Sequence, residues 1–285
     1  MNKSLYLECT SGISGDMFVA SLLDLGADQG TLQKVLNSLP VQGFRIEITR
    51  VKKSGLDACD FNVILDEGHE NHDHDLEYLY GTFEKGSLAV PSKDPDSAKK
   101  WEKRHKMTEL CHCHRNLQDI LAIIEKAEMT DRAKGLASEI FGILARAEAK
   151  VHGTEVEKVH FHEVGAVDSI VDIIAAAVCL DELGIGEVIV PILYEGRGEV
   201  RCQHGVLPIP VPAVTEIVRE HRIPLHIMEA KGEFVTPTGA AIVAAVRTKE
   251  ELPKQFLIQR TGLGAGKREH ERSGILRVML IEERR

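Results

Sequence analysis

The run Leu5-Tyr6-Leu7-Glu8-Cys9-Thr10-Ser11-Gly12-Ile13-Ser14-Gly15-Asp16-Met17-Phe18 sets the fold class. Residues 5–9 alternate and predict a short buried strand. The polar, glycine-bearing segment 10–16 then opens a helix that carries Phe18, Leu22, Leu23 and Leu25, and Gly26 stops it. Outward from there, residues 31–39 predict a second helix ended by Pro40, and the alternating stretches 44–51 and 59–65 predict a pair of antiparallel strands. The order β-α-α-β-β, with more mixed elements downstream, implies an α+β fold of mixed sheets and packed helices.

Beyond residue 65 the periodicity breaks. Residues 66–106 are rich in Asp, Glu, Lys and His and carry Pro91 and Pro95, a composition expected of a mobile insert. Helical spacing resumes at Asn116 with Leu117, Ile120, Leu121 and Ile124, and again over 131–152 with Leu136, Ile140, Ile143 and Leu144. A short extended piece at 159–161 leads to a helix over 166–183, ended by Gly184. Then come a strand at 187–193, a glycine-containing turn region at 196–205, and a loop punctuated by Pro208, Pro210 and Pro212. A helix at 213–220, a strand at 224–228, a helix at 238–246, a strand at 256–260, a glycine-rich loop and a strand at 275–281 complete the pattern. The expected organisation is a first unit over 1–65, a His-rich insert over 66–114 and a second α+β unit over 115–285.

Composition narrows the function classes. The 285 residues are 43% apolar and 28% charged, and 35 basic against 44 acidic side chains leave a formal charge of −9, which fits a soluble globular protein. Nucleic-acid and anionic-membrane binding are disfavoured, because no Lys/Arg stripe is present to release counterions. The longest apolar run, 173–180, is eight residues, against roughly 20 for a membrane span. The N-terminal residues lack a signal-peptide pattern, so a cytoplasmic location is expected. Cysteines 9, 59, 111, 113, 179 and 202 are spaced irregularly and read as reduced thiols. Histidine is the exception in this profile: six of thirteen fall between His69 and His114.

The densest cluster of reactive side chains is His160-Phe161-His162-Glu163-Val164-Gly165-Ala166-Val167-Asp168-Ser169-Ile170-Val171-Asp172. In an extended segment His160 and His162 point to one face and, with Glu163, form candidate metal ligands. On the following helix Asp168 and Asp172 are four apart and project together. Such nitrogen and oxygen donors suit Ni, Zn, Mn or Mg, and spacing alone does not select among them. A structural reading exists for Asp168, which favours a first helical turn. Asp172 resists it, being set between Ile170-Val171 and Ile173-Ile174. In Cys111-His112-Cys113-His114, the two imidazoles are further metal candidates and the thiols weaker ones, while His69, His72 and His74 read as a collecting site or as solvated residues.

Three loops suit an anion. Gly12, Ser14 and Gly15 stand where a strand enters a helix, and Thr236, Thr238 and Gly239 surround Pro237 at another helix start. Gly264, Gly266 and Lys267 belong to a glycine-rich stretch with two cations. None is a P-loop, and each is equally a tight turn. Asp16 is open between helix cap, metal ligand and base. His204 is a weaker candidate, and no nucleophile elbow is present.

Taken in order, 11–17, 160–172, His204-Gly205 with Pro208 and Pro210, 236–241 and 262–266 resemble the LarC family, the nickel-insertion proteins of nickel-pincer cofactor biosynthesis. The likeness runs from about Leu5 to Ile281. The resemblance implies an insertase that adds Ni(II) to a pyridinium dithiocarboxylate mononucleotide, forms two Ni–S bonds and one Ni–C bond, and consumes CTP. The product serves lactate racemase or related enzymes. It also implies that Asp16, Asp168 or Asp172 accepts the displaced ring proton. Family members usually extend further. CTP with Mg(II) or Mn(II) is therefore expected mainly on a C-terminal half beyond residue 285, which becomes a partner of this portion. A homo-oligomer is a further expectation. The competing readings are a nickel store or metallochaperone without catalysis, and a metal-dependent hydrolase built on the same His and Asp residues.

Overall fold

The structure, a computed structural model, describes residues 4–66, 115–161, 166–202, 205–268 and 272–284. Strand β1 (Ser4–Glu8) runs into helix α1 (Gly15–Leu25), whose every residue except Asp24 is buried. A helix apolar on all sides must sit in the middle of the molecule. α1 does so, lying on the six-stranded sheet below it and against α5 (Val167–Glu182) beside it. Gly26 ends α1 in the left-handed region, its N–H closing onto the carbonyls of Leu22 and Leu23.

The large sheet takes strands from both ends of the sequence, in the order β2-β3-β10-β11-β1-β6. β2 (Phe44–Lys53) and β3 (Leu56–Leu65) form the predicted antiparallel pair, in register from Phe44 opposite Leu65 to Lys53 opposite Leu56. β3 joins β10 (Phe256–Ala265) at Cys59 and Gly264, and β10 lies antiparallel to β11 (Ile275–Glu283). β1 is held between β11, antiparallel, and β6 (Glu187–Ile189), parallel. The sheet is mixed and the fold is α+β.

Helices α2 (Gln29–Asn37), α3 (Leu117–Lys126), α4 (Asp131–His152), α6 (Pro212–Glu220) and α7 (Pro237–Val246) complete the seven among the described residues. Asn116 caps α3 in a reciprocal capping box with Asp119. A two-stranded piece pairs β4 (Arg115–Asn116) with β5 (His160–Phe161). A three-stranded sheet orders β8 (Gly205–Ile209), β7 (Leu193–Cys202) and β9 (Leu225–Lys231), with β7 antiparallel to β8 and parallel to β9. Among the described residues no helix is long and apolar enough to cross a membrane.

Two expectations are corrected here. Much of the predicted turn region at 196–205 is strand β7, with Pro208 inside β8: cross-strand pairing overrides the glycines and proline. The predicted glycine-rich loop is largely the end of β10, where Gly262 and Gly264 are strand residues. A Cβ on Gly262 would fall 2.1 Å from the Ser21 carbonyl oxygen and one on Gly264 2.0 Å from that of Met17, so these glycines let α1 lie directly on the sheet.

Candidate functional site

The site is built by joining two segments more than two hundred residues apart. The Ile13 N–H donates to the Phe234 carbonyl at 2.9 Å, and the Thr236 N–H donates back to the Ile13 carbonyl at 3.1 Å. This exchange sets the first turns of α1 and α7 side by side. Two glycines permit it. Gly12 has a φ of +78°, and a Cβ there would lie 2.0 Å from the Phe234 carbonyl oxygen; a Cβ on Gly239 would lie 2.2 Å from that of Ile13. A third close approach brings in α5, since a Cβ on Gly15 would stand 2.6 Å from Asp172 Oδ2. Backbone contact requires glycine at 12 and 239, and a Cβ at 15 would displace the Asp172 side chain.

These contacts enclose a cavity of about 290 Å³. Its wall contains the beginnings of four helices: α1 at Ser14–Asp16, α5 at Asp168 and Ser169, α6 at Val211–Ala213, and α7 at Thr236–Thr238. Three of the four, α1, α5 and α6, have no side-chain hydrogen bond from their N-cap residue. On α7 Thr236 accepts from the Gly239 N–H at 3.1 Å. Four helix N-termini, each the positive end of its dipole, therefore border one space.

Against that positive field stand carboxylates. Asp16, Asp168 and Asp172 all line the cavity. Ser14 Oγ donates to Asp16 Oδ1. Asp172 accepts the backbone N–H of Asp16, capping α1 from another helix, while its Oδ1 is enclosed with no hydrogen-bond partner among the described residues. Burial, and then the charges of Asp16 and Asp168, hold the Asp172 acid well above the ordinary carboxylate range. Lys267 and the Asp16 N–H pull the other way without prevailing. Lys267 is itself paired with Asp60, and Arg268 with Glu233. Lys53 secures this corner by donating to the carbonyls of Gly266 and Arg268.

Of the residues singled out by sequence, Ser14, Gly15, Asp16, Asp168, Asp172, Thr236, Thr238, Gly266 and Lys267 meet at the cavity. Gly12, Gly239 and Gly264 stand outside its lining, at the close approaches described above. His160 lies in β5 opposite Asn116. His69, His72, His74, His105, Cys111, His112, Cys113, His114, His162, Glu163 and His204 fall outside the described residues. Among the described residues no three His, Cys, Asp or Glu side chains converge to hold a metal ion. Sequence reasoning missed Glu148 and His152, which line the same cavity from the last turns of α4 with Nε2 and Oε2 3.3 Å apart. Burial raises the Glu148 acid and the imidazole opposes that rise. Their i, i+4 spacing was legible, but it is equally the spacing of a helix-stabilising pair.

The family model for the nickel insertion protein matches residues 5–285. This chain belongs to the nickel insertion protein family. Relatives named pyridinium-3,5-bisthiocarboxylic acid mononucleotide nickel insertion protein support the same placement. The one from Alkaliphilus metalliredigens is 49% identical over all of this chain and 62% of its own length. Those from Acetivibrio thermocellus and Geobacillus kaustophilus are each 38% identical, over 98% and 99% of this chain and 60% and 61% of their own lengths. The chain thus spans about 60% of the relatives it matches. No solved structure matches it significantly. Within the family, the cavity is where the chain's anion-favouring helix ends and its acidic residues meet.

Proposed function

We propose that this cavity receives the pyridinium-3,5-bisthiocarboxylic acid mononucleotide named for the relatives, and that nickel is inserted into it there to give the nickel-pincer cofactor of lactate racemase or a related enzyme. The observation that carries the reading is the enclosed, unpartnered Oδ1 of Asp172 among helix N-termini. A dication and a mononucleotide made anionic by its phosphate and thiocarboxylates together neutralise what this cavity leaves unbalanced. Nickel and the mononucleotide are both substrates. The two thiocarboxylates supply sulfur donors that the described residues do not provide, which removes the need for a complete protein cage.

Two Ni–S bonds form first in this scheme. The ring C–H bond then breaks, its electron pair forms the Ni–C bond, and the proton passes to a carboxylate. Asp172 is our choice of acceptor, with Asp16 and Asp168 keeping it basic through their charges. The dication relieves that crowding, so that Asp172 releases its resting proton to bulk water before it accepts the one from the ring. His160, His162 and Glu163, with His112 and His114 before them, are proposed to deliver nickel to this point.

CTP with Mg(II) or Mn(II) is proposed to be required by the complete family protein. The described residues do not fit that group, having no P-loop string and no three-donor metal site. It is assigned to the portion of the relatives that this chain does not cover, and no step is routed through it here. The reduced thiols expected of Cys9, Cys59, Cys179 and Cys202 agree with the proposed cytoplasmic setting.

The test is incubation with nickel, CTP, Mg(II) and the dithiocarboxylate mononucleotide, with and without the remaining portion of a relative, followed by mass spectrometry. Metallated product is expected in the supplemented reaction, and Asp172→Asn should abolish it. Absence of product in both wild-type reactions would sink the insertase reading in favour of a nickel store.

A further inference from the structure

Among the described residues, the cavity contains one cation without a protein counter-charge. Lys267 is paired with Asp60, and Arg268 with Glu233. Arg201, near the end of β7, lines the same cavity, is partly buried, and has no hydrogen bond or ion pair with the described residues. Its neighbour across the strand pair is Val206, which offers no acid. A guanidinium withdrawn from part of its water and given no anion by the described residues is a feature that a ligand anion resolves.

The surroundings favour the same sign. β7 and β8 lead into α6, whose first residues, Val211–Ala213, also line the cavity, and α6 has no side-chain cap. Arg201 and this helix start thus line one cavity. The three aspartates come from α1 and α5 instead, so the cavity presents cation-seeking and anion-seeking walls on different elements.

We propose that Arg201 anchors the phosphate monoester of the mononucleotide and so orients the ring toward the aspartates. This assignment rests on the substrate reading given above. Phosphate is preferred over a thiocarboxylate for two reasons. The guanidinium fork matches two phosphate oxygens at once. The sulfur-bearing groups must also turn toward the nickel, at the acidic wall, where a phosphate dianion would be repelled. Arg201 is a substrate-binding and positioning residue in this account, and the proton is handled elsewhere.

The test compares binding of the dithiocarboxylate mononucleotide with that of its phosphatase-treated nucleoside, by calorimetry on the full chain. Wild type should prefer the mononucleotide. Arg201→Ala should cut that preference by roughly tenfold to a hundredfold, leave nucleoside affinity unchanged, and regain part of the preference when guanidinium ion is added. Arg201→Lys should retain part of it, because a point charge survives without the fork. A general loss of structure would weaken both ligands together. If wild type prefers the mononucleotide and Arg201→Ala keeps that preference, or loses both ligands equally, the anchor is overturned and the substrate reading stands. If wild type binds neither ligand, the substrate reading fails and the anchor with it.

Discussion

An aspartate in the middle of an apolar helix lowers stability unless it is satisfied, and Asp172 is satisfied on one oxygen only. Its acid is raised, so the folded state keeps a proton that the unfolded chain releases. Stability from this source is full below the usual carboxylate pKa and is lost as pH rises through the higher folded value. Asp172→Asn should therefore melt higher than wild type at pH 8 while losing nickel insertion, as scanning calorimetry beside the product assay would show. A stabilised yet inactive variant is the mark of a residue retained for chemistry; a destabilised one would return Asp172 to a capping role.

Glu195 makes the same argument without the site. It is fully enclosed in β7, and its Oε1 accepts the N–H groups of Gly196 and Phe234, both at 2.7 Å, and of Val235 at 3.2 Å. Burial still outweighs these three donors and lifts its pKa from 4.5 to about 7. At about 1.4 kcal/mol for each pKa unit, wild type should lose on the order of 3 kcal/mol as pH climbs from below 4.5 to above 7. Glu195→Gln should flatten that part of the pH–stability curve in urea titrations. Asp168 beside Asp172 was legible from its i, i+4 spacing, whereas Asp16 beside Asp172 and the Phe234 and Val235 donors to Glu195 come from segments distant along the chain and were not.

At the scale of elements, reading the chain worked where a period was long and failed where pairing decided. The helix expected over 131–152 matches α4, and the stops at Gly26 and Gly184 hold because both glycines take positive φ. β7 and the end of β10 were hidden by their glycines, of which Gly196, Gly262 and Gly264 admit the close approach of another segment while Gly198 takes a positive φ. The anion-loop reading of 12–15 and 236–239 located two true helix starts, but not the exchange of hydrogen bonds between them. Gly239→Ala puts a methyl group against the Ile13 carbonyl and should destabilise by about 1–3 kcal/mol. Thr236→Ala removes only a cap and should destabilise by about 1 kcal/mol. Denaturant melts of the two variants give the comparison. A smaller effect for Gly239→Ala would mean that the junction of α1 and α7 yields easily.

For the whole molecule, the decisive fact is that one sheet is shared. β1 has its partners at 187–189 and 275–283, and β3 touches β10. A polypeptide limited to residues 1–66 would lack both neighbours of β1. It should show no cooperative melt by circular dichroism, whereas the 285-residue chain should lose sheet and helix signals together. An independent transition for 1–66 would establish the first unit as a separate folding body.

The Ile13–Thr236 exchange also dictates timing. A ribosome releases α1 long before α7 exists, so the wall that carries Asp16 waits for more than two hundred further residues before it becomes a cavity. During that interval the growing polypeptide has acidic side chains but no enclosure, and β1 lacks its β11 neighbour. Assembly of the site is thus a late event in biosynthesis, and a nascent chain gains the pocket only when its last third has folded back onto its first.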